Sequence, residues 1–217
     1  MATGILIIGN SGAGKSTSLR KLNPAETLII NADKKSLPWR GWKKDYNKKN
    51  KNYIVEADAK KIQGYLLHVN DSMPHIKNVV IDTLNGVMLA VEMAERKANT
   101  FSDWKELAVN IYGICDMIGT LRDDLNIICT AHAQTELTDS GYQFTHMKTS
   151  GKKLEKIVVE SKFTHVFIAK GNQGKFVFET HANNSTAKTP MGLFEEDEIP
   201  NDVAAILKRI EEYENGD

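Results

Sequence analysis

The sequence predicts an α/β domain of three layers around a mainly parallel sheet. Nearly continuous aliphatic runs, typical of strands buried on both faces of a parallel sheet, recur at 4–8, 27–31, 78–82 and 126–131. Apolar side chains at helical spacing indicate intervening helices at about 58–70, 84–97 and 102–124, and Asp58 is expected to cap the first. Strands that alternate with helices favour a sheet covered by helices on both faces.

Local signals predict the remaining elements. A helix is expected at 15–22, where Asn23 and Pro24 end it, and a short strand at 52–56. Later come a polar stretch at 133–150 with a turn at 139–141, a helix at 151–162, a hairpin of 164–170 with 175–180, and a terminal helix from Asn201 to about Tyr213. Because no linker divides the chain, we expect one core at 1–192 and an acidic C-terminal tail or helix at 193–217.

The composition is that of an ordinary globular protein. Of 217 residues, 41% are hydrophobic and 26% are charged, and the formal net charge is zero. Cys115 and Cys129 lie in apolar segments without metal-ligand spacing, so we expect two buried thiols and a reducing compartment. Because no apolar run approaches about 18 residues, no membrane segment is expected and the cytoplasm is the predicted location.

Charge is distributed unevenly along the chain. Ten basic and three acidic residues lie between Lys34 and Lys61, whereas nine acidic and two basic residues lie between Glu195 and Asp217. Zero net charge argues against a protein that binds nucleic acid through global positive charge alone. The local pattern fits a polyanion-binding patch with an acidic tail that competes for it, or simply a solvated lysine-rich loop and a solvated terminal helix.

The segment that follows the first strand carries the clearest chemical motif. Residues Gly9 to Ser16, GNSGAGKS, match the G-x-x-x-x-G-K-[ST] pattern of a phosphate-binding P-loop. Inward-turned backbone N–H groups contact phosphate oxygens in such a loop, the lysine neutralises the β- and γ-phosphates, and the serine hydroxyl ligates Mg²⁺. We therefore expect ATP to be bound by Gly9, Asn10, Ser11, Gly12, Ala13, Gly14, Lys15, Ser16 and Thr17.

A buried carboxylate is predicted to complete the metal site. The strand at 78–82 delivers Asp82 to the edge of the sheet where the P-loop lies. Asp82 is expected to hold Mg²⁺ through water, together with Ser16. The alternative is that Asp82 and Thr83 merely cap the next helix.

Three stretches carry a resemblance to a known family: Ile30-Asn31-Ala32-Asp33, Ile81-Asp82-Thr83-Leu84, and Ile127-Ile128-Cys129-Thr130 leading into Ala131-His132. They resemble the RecA-like ATPases, in particular the small RecA-core ATPases of bacteriophages associated with single-strand annealing and recombination. The resemblance extends more weakly through the hairpin at 164–180 to 186–190. It implies a P-loop NTPase domain of RecA-like type over about residues 4–192.

The resemblance also implies roles for polar residues at the ends of two strands. Asp33 corresponds to the catalytic acid that orients water, although the family usually has Glu there. A surface aspartate before a lysine-rich loop is the alternative, and Glu56 is then the next candidate base. His132 corresponds to the residue that senses the γ-phosphate, with a core or surface histidine as the alternative.

A basic residue near the C-terminal side is implied to act between subunits. Lys188 lies where relatives carry a residue that reaches a neighbouring subunit's nucleotide, and Lys170 and Lys175 are alternatives. The resemblance therefore implies a homo-oligomer, either a ring or a filament.

The polar stretch after His132 is the candidate DNA contact. In RecA-like proteins a DNA-binding loop emerges at this place, and here it carries Tyr142, Phe144, His146, Lys148, Lys152 and Lys153. Aromatic rings stack on unpaired bases while lysines contact phosphates. A surface hairpin beside a lysine-rich helix is the alternative. Trp39, Trp42 and Tyr46 form a second candidate with the lysines around them.

We therefore predict an ATPase that uses ATP and Mg²⁺ on single-stranded DNA, in phage recombination, annealing or replication. A single-strand-binding or annealing protein is a possible partner, and the host cytoplasm is the location if the chain is phage-encoded. One alternative is a small-molecule or nucleotide kinase, although the arginines do not cluster as in an arginine-rich lid. The other is a nucleotide-switched module that loads or regulates a helicase.

Overall fold

The computed structural model describes residues 1–95, 103–149 and 158–216. Within these ranges nine strands form one sheet: β1 (Thr3–Gly9), β2 (Thr27–Asn31), β3 (Tyr53–Ile54), β4 (Asn78–Asp82), β5 (Asn126–Leu137), β6 (Gln143–Met147), β7 (His165–Asn172), β8 (Lys175–Glu179) and β9 (Glu198–Pro200). The α-helices of the same ranges are α1 (Trp42–Asp45), α2 (Ala59–Ser72), α3 (Leu84–Glu95), α4 (Asp103–Met117) and α5 (Val203–Asn215). Short 3-10 helices lie at Thr17–Lys21, Ile118–Thr120 and Val159–Lys162.

The sheet is mainly parallel. Its strand order is β3-β2-β4-β5-β1-β7-β8-β9, and the pairs from β3 to β7 are parallel. β8 runs antiparallel to β7, β9 runs antiparallel to β8, and β6 pairs with the outer half of β5. The structure confirms the predicted α/β fold class in its three layers, its mainly parallel sheet and its C-terminal hairpin.

Both faces of the central strands are buried. In β1, Ile5 and Ile7 belong to the core on one face, and Leu6 and Ile8 belong to the core on the other. Helices α2, α3 and α4 pack on the second face, while α5 and the 3-10 helix after the P-loop pack on the first. Such strands have no side chains facing water, which explains their continuous aliphatic runs.

The prediction of a helix at 15–22 is wrong, because the segment that follows the P-loop is a 3-10 helix at Thr17–Lys21. Hydroxyl side chains in this segment compete for backbone partners, and Ser18 Oγ donates to the Lys15 carbonyl at 2.6 Å. With Pro24 close behind, the segment is short, and short connectors commonly adopt 3-10 geometry. The strand predicted at 52–56 is also shorter, since β3 contains Tyr53 and Ile54 alone.

The other predicted helices are present with shifted ends. Asp58 caps α2 as expected, since its side chain accepts a hydrogen bond from the Lys61 N–H. The helix predicted at 102–124 ends at Met117 and is followed by a 3-10 turn.

The polar stretch at 133–150 contains a β-hairpin. β5 continues to Leu137 and pairs with β6, and the Thr135 and Thr145 hydroxyls lie 3.0 Å apart across the two strands. This part of the hairpin has exposed polar side chains, so no apolar run marks its strands in the sequence. In the helix predicted at 151–162, residues 151–157 lie outside the described residues, and Val159–Lys162 is a 3-10 helix.

The C-terminal elements pack on the rest of the sheet. The predicted hairpin is present as β7 and β8, joined by Gln173 and Gly174. The predicted cap Asn201 is wrong, because Asp202 caps α5 by accepting a hydrogen bond from the Ala205 N–H. Residues predicted as an acidic tail or helix form β9 and α5, whose Ile206 and Ile210 are buried in the same core as β1.

Both cysteines are buried, as expected from their apolar surroundings. Cys115 and Cys129 are free thiols in the core, and burial raises the pKa of Cys115 to about 12. Of the helices that the structure describes, none combines the length and apolar character that crossing a membrane requires.

We expect Ile206→Ala to lower the free energy of unfolding by about 2–5 kcal/mol, because the substitution leaves a cavity under α5. Urea denaturation measures this change. Glu211→Ala, on the exposed side of the same helix, is the control and should change stability by less than about 0.5 kcal/mol. A loss below about 1 kcal/mol in Ile206→Ala would contradict the packing of α5 on the sheet.

Candidate nucleotide-binding site

The ends of four parallel strands bring the P-loop, Asp33, Asp82 and His132 to one edge of the sheet. Gly9 of β1 lies opposite His132 of β5, and Asn31 of β2 lies opposite Asp82 of β4. Because β5 runs between β1 and β4, the P-loop, His132 and Asp82 line a common cavity of about 590 Å³. Asp33, two residues beyond β2, lines the same cavity.

The P-loop forms one wall of this cavity. The predicted residues that line it are Ser11, Gly12, Gly14, Lys15, Ser16 and Thr17. Lys15 is buried, and its ammonium donates to the carbonyls of Gly9 at 2.7 Å and Asn10 at 2.9 Å. Burial lowers the pKa of Lys15, while the charges of Asp82 and Asp33 oppose that shift. The lysine therefore supplies a buried positive charge at the phosphate end of the cavity.

Asp82 and Ser16 lie together, as the metal prediction requires. Asp82 accepts a hydrogen bond from the Thr130 hydroxyl, and the Ser16 hydroxyl lies near enough to the carboxylate to act on its pKa. Burial raises the pKa of Asp82, whereas these two hydroxyls and the charge of Lys15 act to lower it. Mg²⁺ takes hard oxygen ligands and shares them with phosphate and water. A buried carboxylate beside a hydroxyl, next to a phosphate-binding loop, fits an ATP-bound Mg²⁺.

Asp33 is held in place by two donors. The Thr83 hydroxyl donates to its Oδ1 at 2.7 Å, and the Lys35 ammonium donates to its Oδ2 at 3.1 Å. Burial alone would raise the pKa of Asp33, but the hydrogen bonds from Thr83 and Lys35 outweigh it and the pKa is lowered. Asp33 is therefore an ionised carboxylate in the cavity rather than a solvated surface residue.

Gly86 in the first turn of α3 makes this arrangement of Asp33 sterically feasible. A Cβ atom at Gly86 would lie 2.7 Å from Asp33 Oδ1 and 2.8 Å from the Ala32 carbonyl carbon. Any larger residue would push the segment after β2 away from α3. Sequence reasoning missed this glycine because it lies inside an ordinary helical pattern.

His132 connects the cavity to the β5–β6 hairpin. Its backbone N–H donates to Asn85 Oδ1 at 2.7 Å, and its carbonyl accepts from the Lys148 N–H at 2.7 Å. Asn85 also donates to the Lys148 carbonyl at 2.8 Å. Burial and the charge of Lys15 lower the pKa of His132, so its imidazole is neutral at pH 7. Asn85, which sequence reasoning missed, thus joins α3, β5 and the end of β6.

A second wall of the cavity was not predicted. It is formed by Phe176 of β8, Pro200 at the end of β9 and Asn201 shortly before α5. Gly14 adopts a φ of +90°, and a Cβ there would lie 3.1 Å from the Phe176 ring and 3.2 Å from the Asn201 amide. These side chains therefore pack directly on the P-loop. They are distant from it in sequence and belong to no phosphate motif, so no signal in the sequence marked them.

The side-chain amide of Asn201 has an unused hydrogen-bond donor. It is 7% exposed, and among the described residues its Nδ2 has no hydrogen-bond partner. Buried polar groups are rarely left unpaired unless water or a ligand satisfies them. An amide of this kind beside a phosphate-binding loop is suited to the sugar or base of a nucleotide.

Lys188 lies away from this cavity. Its side chain is exposed, and its backbone pairs with Val166 of β7. The residue of β7 that lies opposite Gly9 of the P-loop is Ala169, three positions after Val166. Lys170, one of its alternatives, is ion-paired with Glu179 and Glu198. A role of Lys188 at a neighbouring subunit's nucleotide therefore stays a prediction.

The predicted DNA-contacting residues lie on the hairpin or outside the described residues. Tyr142 is 64% exposed near the hairpin tip, and Phe144 stacks on His146 with ring centroids 6.2 Å apart. Lys148 is exposed at the base of the hairpin, whereas Lys152 and Lys153 lie outside the described residues.

The second DNA candidate needs one correction. Tyr46 is 1% exposed and packs in the core, so its ring has no face free for a base. Trp39 and Trp42 are half-buried.

Comparison with known proteins gives a family and a structural likeness. The family model described as AAA domain matches residues 1–190. A crystal structure of the RadB recombinase is similar to this chain with a TM-score of 0.49, 11% sequence identity and coverage of 84% of each chain. No curated protein matches the sequence.

We expect Asn201→Ala to weaken ATP binding by about threefold to tenfold, the effect of one lost hydrogen bond, and to leave the binding of tripolyphosphate unchanged. Competition against a fluorescent ATP analogue measures both affinities. Asn183→Ala, an exposed asparagine elsewhere, is the control. Equal losses for ATP and tripolyphosphate, or no loss for either, would contradict a contact between Asn201 and the nucleoside.

Proposed function

We propose that this chain, which belongs to the AAA domain family, hydrolyses ATP–Mg²⁺ in the P-loop cavity and uses the reaction on single-stranded DNA. The observation that carries the proposal is Asp33, an ionised carboxylate that lines the same cavity as Lys15 and Asp82. A P-loop alone supports binding, whereas a fixed carboxylate at the phosphate end also supports attack by water.

Phosphate binding and charge stabilisation are assigned to the P-loop. Its backbone N–H groups contact the phosphates, and Lys15 exchanges its bonds to Gly9 and Asn10 for phosphate oxygens. Ser16 and Asp82 would hold Mg²⁺, which when bound would neutralise negative charge on the phosphates. Thr130 keeps the Asp82 carboxylate oriented by donating a hydrogen bond to it.

Asp33 is assigned the role of orienting water. Its lowered pKa keeps it ionised at neutral pH, so it accepts a hydrogen bond from the attacking water and then the proton. Thr83 and Lys35 fix the carboxylate and leave it little rotational freedom. Glu56 is a poorer candidate, because its Oε1 accepts the N–H groups of Ala57 and Asp58 at 3.0 Å and it does not line the cavity.

His132 is assigned the role of reporting the γ-phosphate to the β5–β6 hairpin. The neutral imidazole donates to a phosphate oxygen or accepts from the bound water, and its own backbone is tied to Lys148 and Asn85. A shift of His132 would therefore move the base of the hairpin that carries Tyr142 and Phe144. This route supports a DNA affinity that depends on the bound nucleotide.

Repeated weak contacts along one strand would compensate for the zero net charge of the chain. If several copies assemble on one single-stranded DNA, the binding of one β5–β6 hairpin raises the effective concentration of the DNA at the hairpin of the neighbouring copy. We assign to Lys188 the contact with the nucleotide of a neighbouring copy. Recombination, annealing or replication, in a phage or in its host, is the class of process that needs such an assembly.

The two other candidate functions differ in what happens to the γ-phosphate. A kinase would transfer it to a small acceptor, and a nucleotide-switched loading module would retain it for long periods. Of the arginines that the structure describes, Arg20 is the one that lines the cavity, so an arginine-rich lid has no support.

We expect Lys15→Ala and Asp33→Asn to separate binding from hydrolysis. Lys15→Ala removes the buried charge at the phosphates and should weaken ATP binding at least about tenfold. Asp33→Asn retains that charge, so ATP affinity should stay within about threefold while turnover falls by roughly 10²–10⁴-fold. Titration with a fluorescent ATP analogue and phosphate release measure the two quantities.

Asp123→Asn, at an exposed aspartate outside the cavity, is the matched control and should behave as wild type. Unchanged binding and turnover in Lys15→Ala would overturn the nucleotide site. Wild-type turnover in Asp33→Asn would leave the nucleotide site standing and remove Asp33 from the reaction.

A further inference from the structure

The lysine- and asparagine-rich segment between Trp39 and Tyr53 has a built structure. Asn52 donates to the carbonyls of Pro24 at 2.9 Å and Asp45 at 2.8 Å, and its Oδ1 accepts the Asn47 N–H at 3.0 Å. Asn47 in turn donates to the carbonyl of Lys43 at 3.0 Å. Asparagine side chains thus replace the backbone hydrogen bonds that a regular element would supply.

This scaffold encloses an aromatic cleft on the surface of the domain. The cleft, which we name the Trp42 cleft, has a volume of about 660 Å³ and is lined by Trp42, Tyr53, Val55, Lys43, Lys48 and Lys51. The rings of Trp42 and Tyr53 lie 5.2 Å apart and are tilted by 47°, and both are half-buried. Val55 is 51% exposed at the rim. The cleft therefore offers flat apolar surface in an otherwise polar region.

The positive charges around the cleft have no carboxylate partner among the described residues, and the Lys43 ammonium lies 5.7 Å from the centre of the Trp42 ring. Six basic residues and one acidic residue lie between Trp39 and Tyr53. Among the ion pairs of the described residues, none involves Lys43, Lys48 or Lys51. Lys35 and Lys61, which flank the segment, are both paired with carboxylates. The charge at the cleft is thus available to a polyanion.

A hydrogen bond connects the Trp42 cleft to the nucleotide cavity. Asn31 Nδ2 donates to the Tyr53 hydroxyl at 2.5 Å and to the Lys35 carbonyl at 2.5 Å. Asn31 lines the nucleotide cavity and lies opposite Asp82 in the sheet. Lys35 in turn holds Asp33. A ligand that moved Tyr53 would therefore act on residues next to the phosphates.

We propose that the Trp42 cleft is a second binding site for single-stranded nucleic acid, separate from the β5–β6 hairpin. It rests on the proposed function, in which the chain acts on single strands. Unpaired bases stack on the rings of Trp42 and Tyr53, and the phosphates on either side contact Lys48 and Lys51. Double strands bury the faces of their bases, and the side chains of Asp and Glu supply charge without a flat ring for the cleft. The combination of rings and unpaired lysines therefore favours an exposed nucleobase with its phosphates.

The test compares two neighbouring lysines. Lys48 lines the cleft, whereas Lys49 is exposed in the same segment and does not line it, so Lys48→Glu and Lys49→Glu change the net charge equally. Fluorescence anisotropy of labelled oligo-dT and oligo-U, with a non-hydrolysed ATP analogue, gives the affinities. We expect Lys48→Glu and Trp42→Leu to weaken binding at least about fivefold and Lys49→Glu to weaken it less than about twofold.

Tryptophan fluorescence provides a readout that is independent of activity. Stacking on Trp42 should quench emission when oligo-dT binds, and Trp42→Leu should lose that quenching. Unlabelled duplex DNA and poly-glutamate serve as competitors. We expect neither to displace oligo-dT from the cleft when its concentration of negative charges equals that of the oligo-dT. Displacement by poly-glutamate in wild type but not in Lys48→Glu would overturn the proposal in favour of an acidic protein segment.

A hairpin variant separates this proposal from the proposed function. If Tyr142→Ala/Phe144→Ala weakens binding of oligo-dT while Lys48→Glu matches Lys49→Glu, the cleft is overturned and the hairpin role stands. If the cleft variants weaken binding and the hairpin variant does not, the cleft is supported and the hairpin role falls. If the wild-type protein binds no single-stranded nucleic acid, the roles of the cleft and of the hairpin are both overturned. ATP hydrolysis is then tested separately by phosphate release.

Discussion

The parallel register of β2, β4, β5 and β1 is the constraint on which the site depends. Backbone hydrogen bonds align these strands so that Gly9 lies level with His132 and Asn31 level with Asp82. A shift of one strand by one residue would turn its side chains to the opposite face of the sheet. The buried aliphatic runs therefore do more than stabilise the core, because they fix which polar residues meet at the edge.

The second constraint is how closely the C-terminal elements approach the P-loop. Phe176 and Asn201 contact Gly14, and the Lys21 ammonium is paired with Asp202 at 2.6 Å. The nucleotide cavity is thus shared between the beginning and the end of the chain. We therefore expect nucleotide binding and the docking of α5 to stabilise each other.

The sequence predicted well what depends on local pattern and poorly what depends on contacts between distant segments. The strands, the P-loop and the position of Asp82 followed from apolar runs and one motif with a clear chemical purpose. The 3-10 helix after the P-loop was missed because hydroxyl side chains outweighed helical spacing. Asn201 and Asn85 could not be found, since single asparagines carry no pattern. The sequence predicts either a solvated or a DNA-binding lysine-rich segment, and the asparagine scaffold of that segment has no sequence signature.

The central claim is that water ordered by Asp33 attacks the γ-phosphate in the P-loop cavity. The most direct measurement is turnover of ATP–Mg²⁺ in water enriched in oxygen-18, with the released phosphate and ADP examined by mass spectrometry. The account predicts that the label enters the released phosphate and not the ADP, because water attacks the γ-phosphorus. Label in the ADP, or loss of the γ-phosphate to an acceptor without release of labelled phosphate, would contradict it.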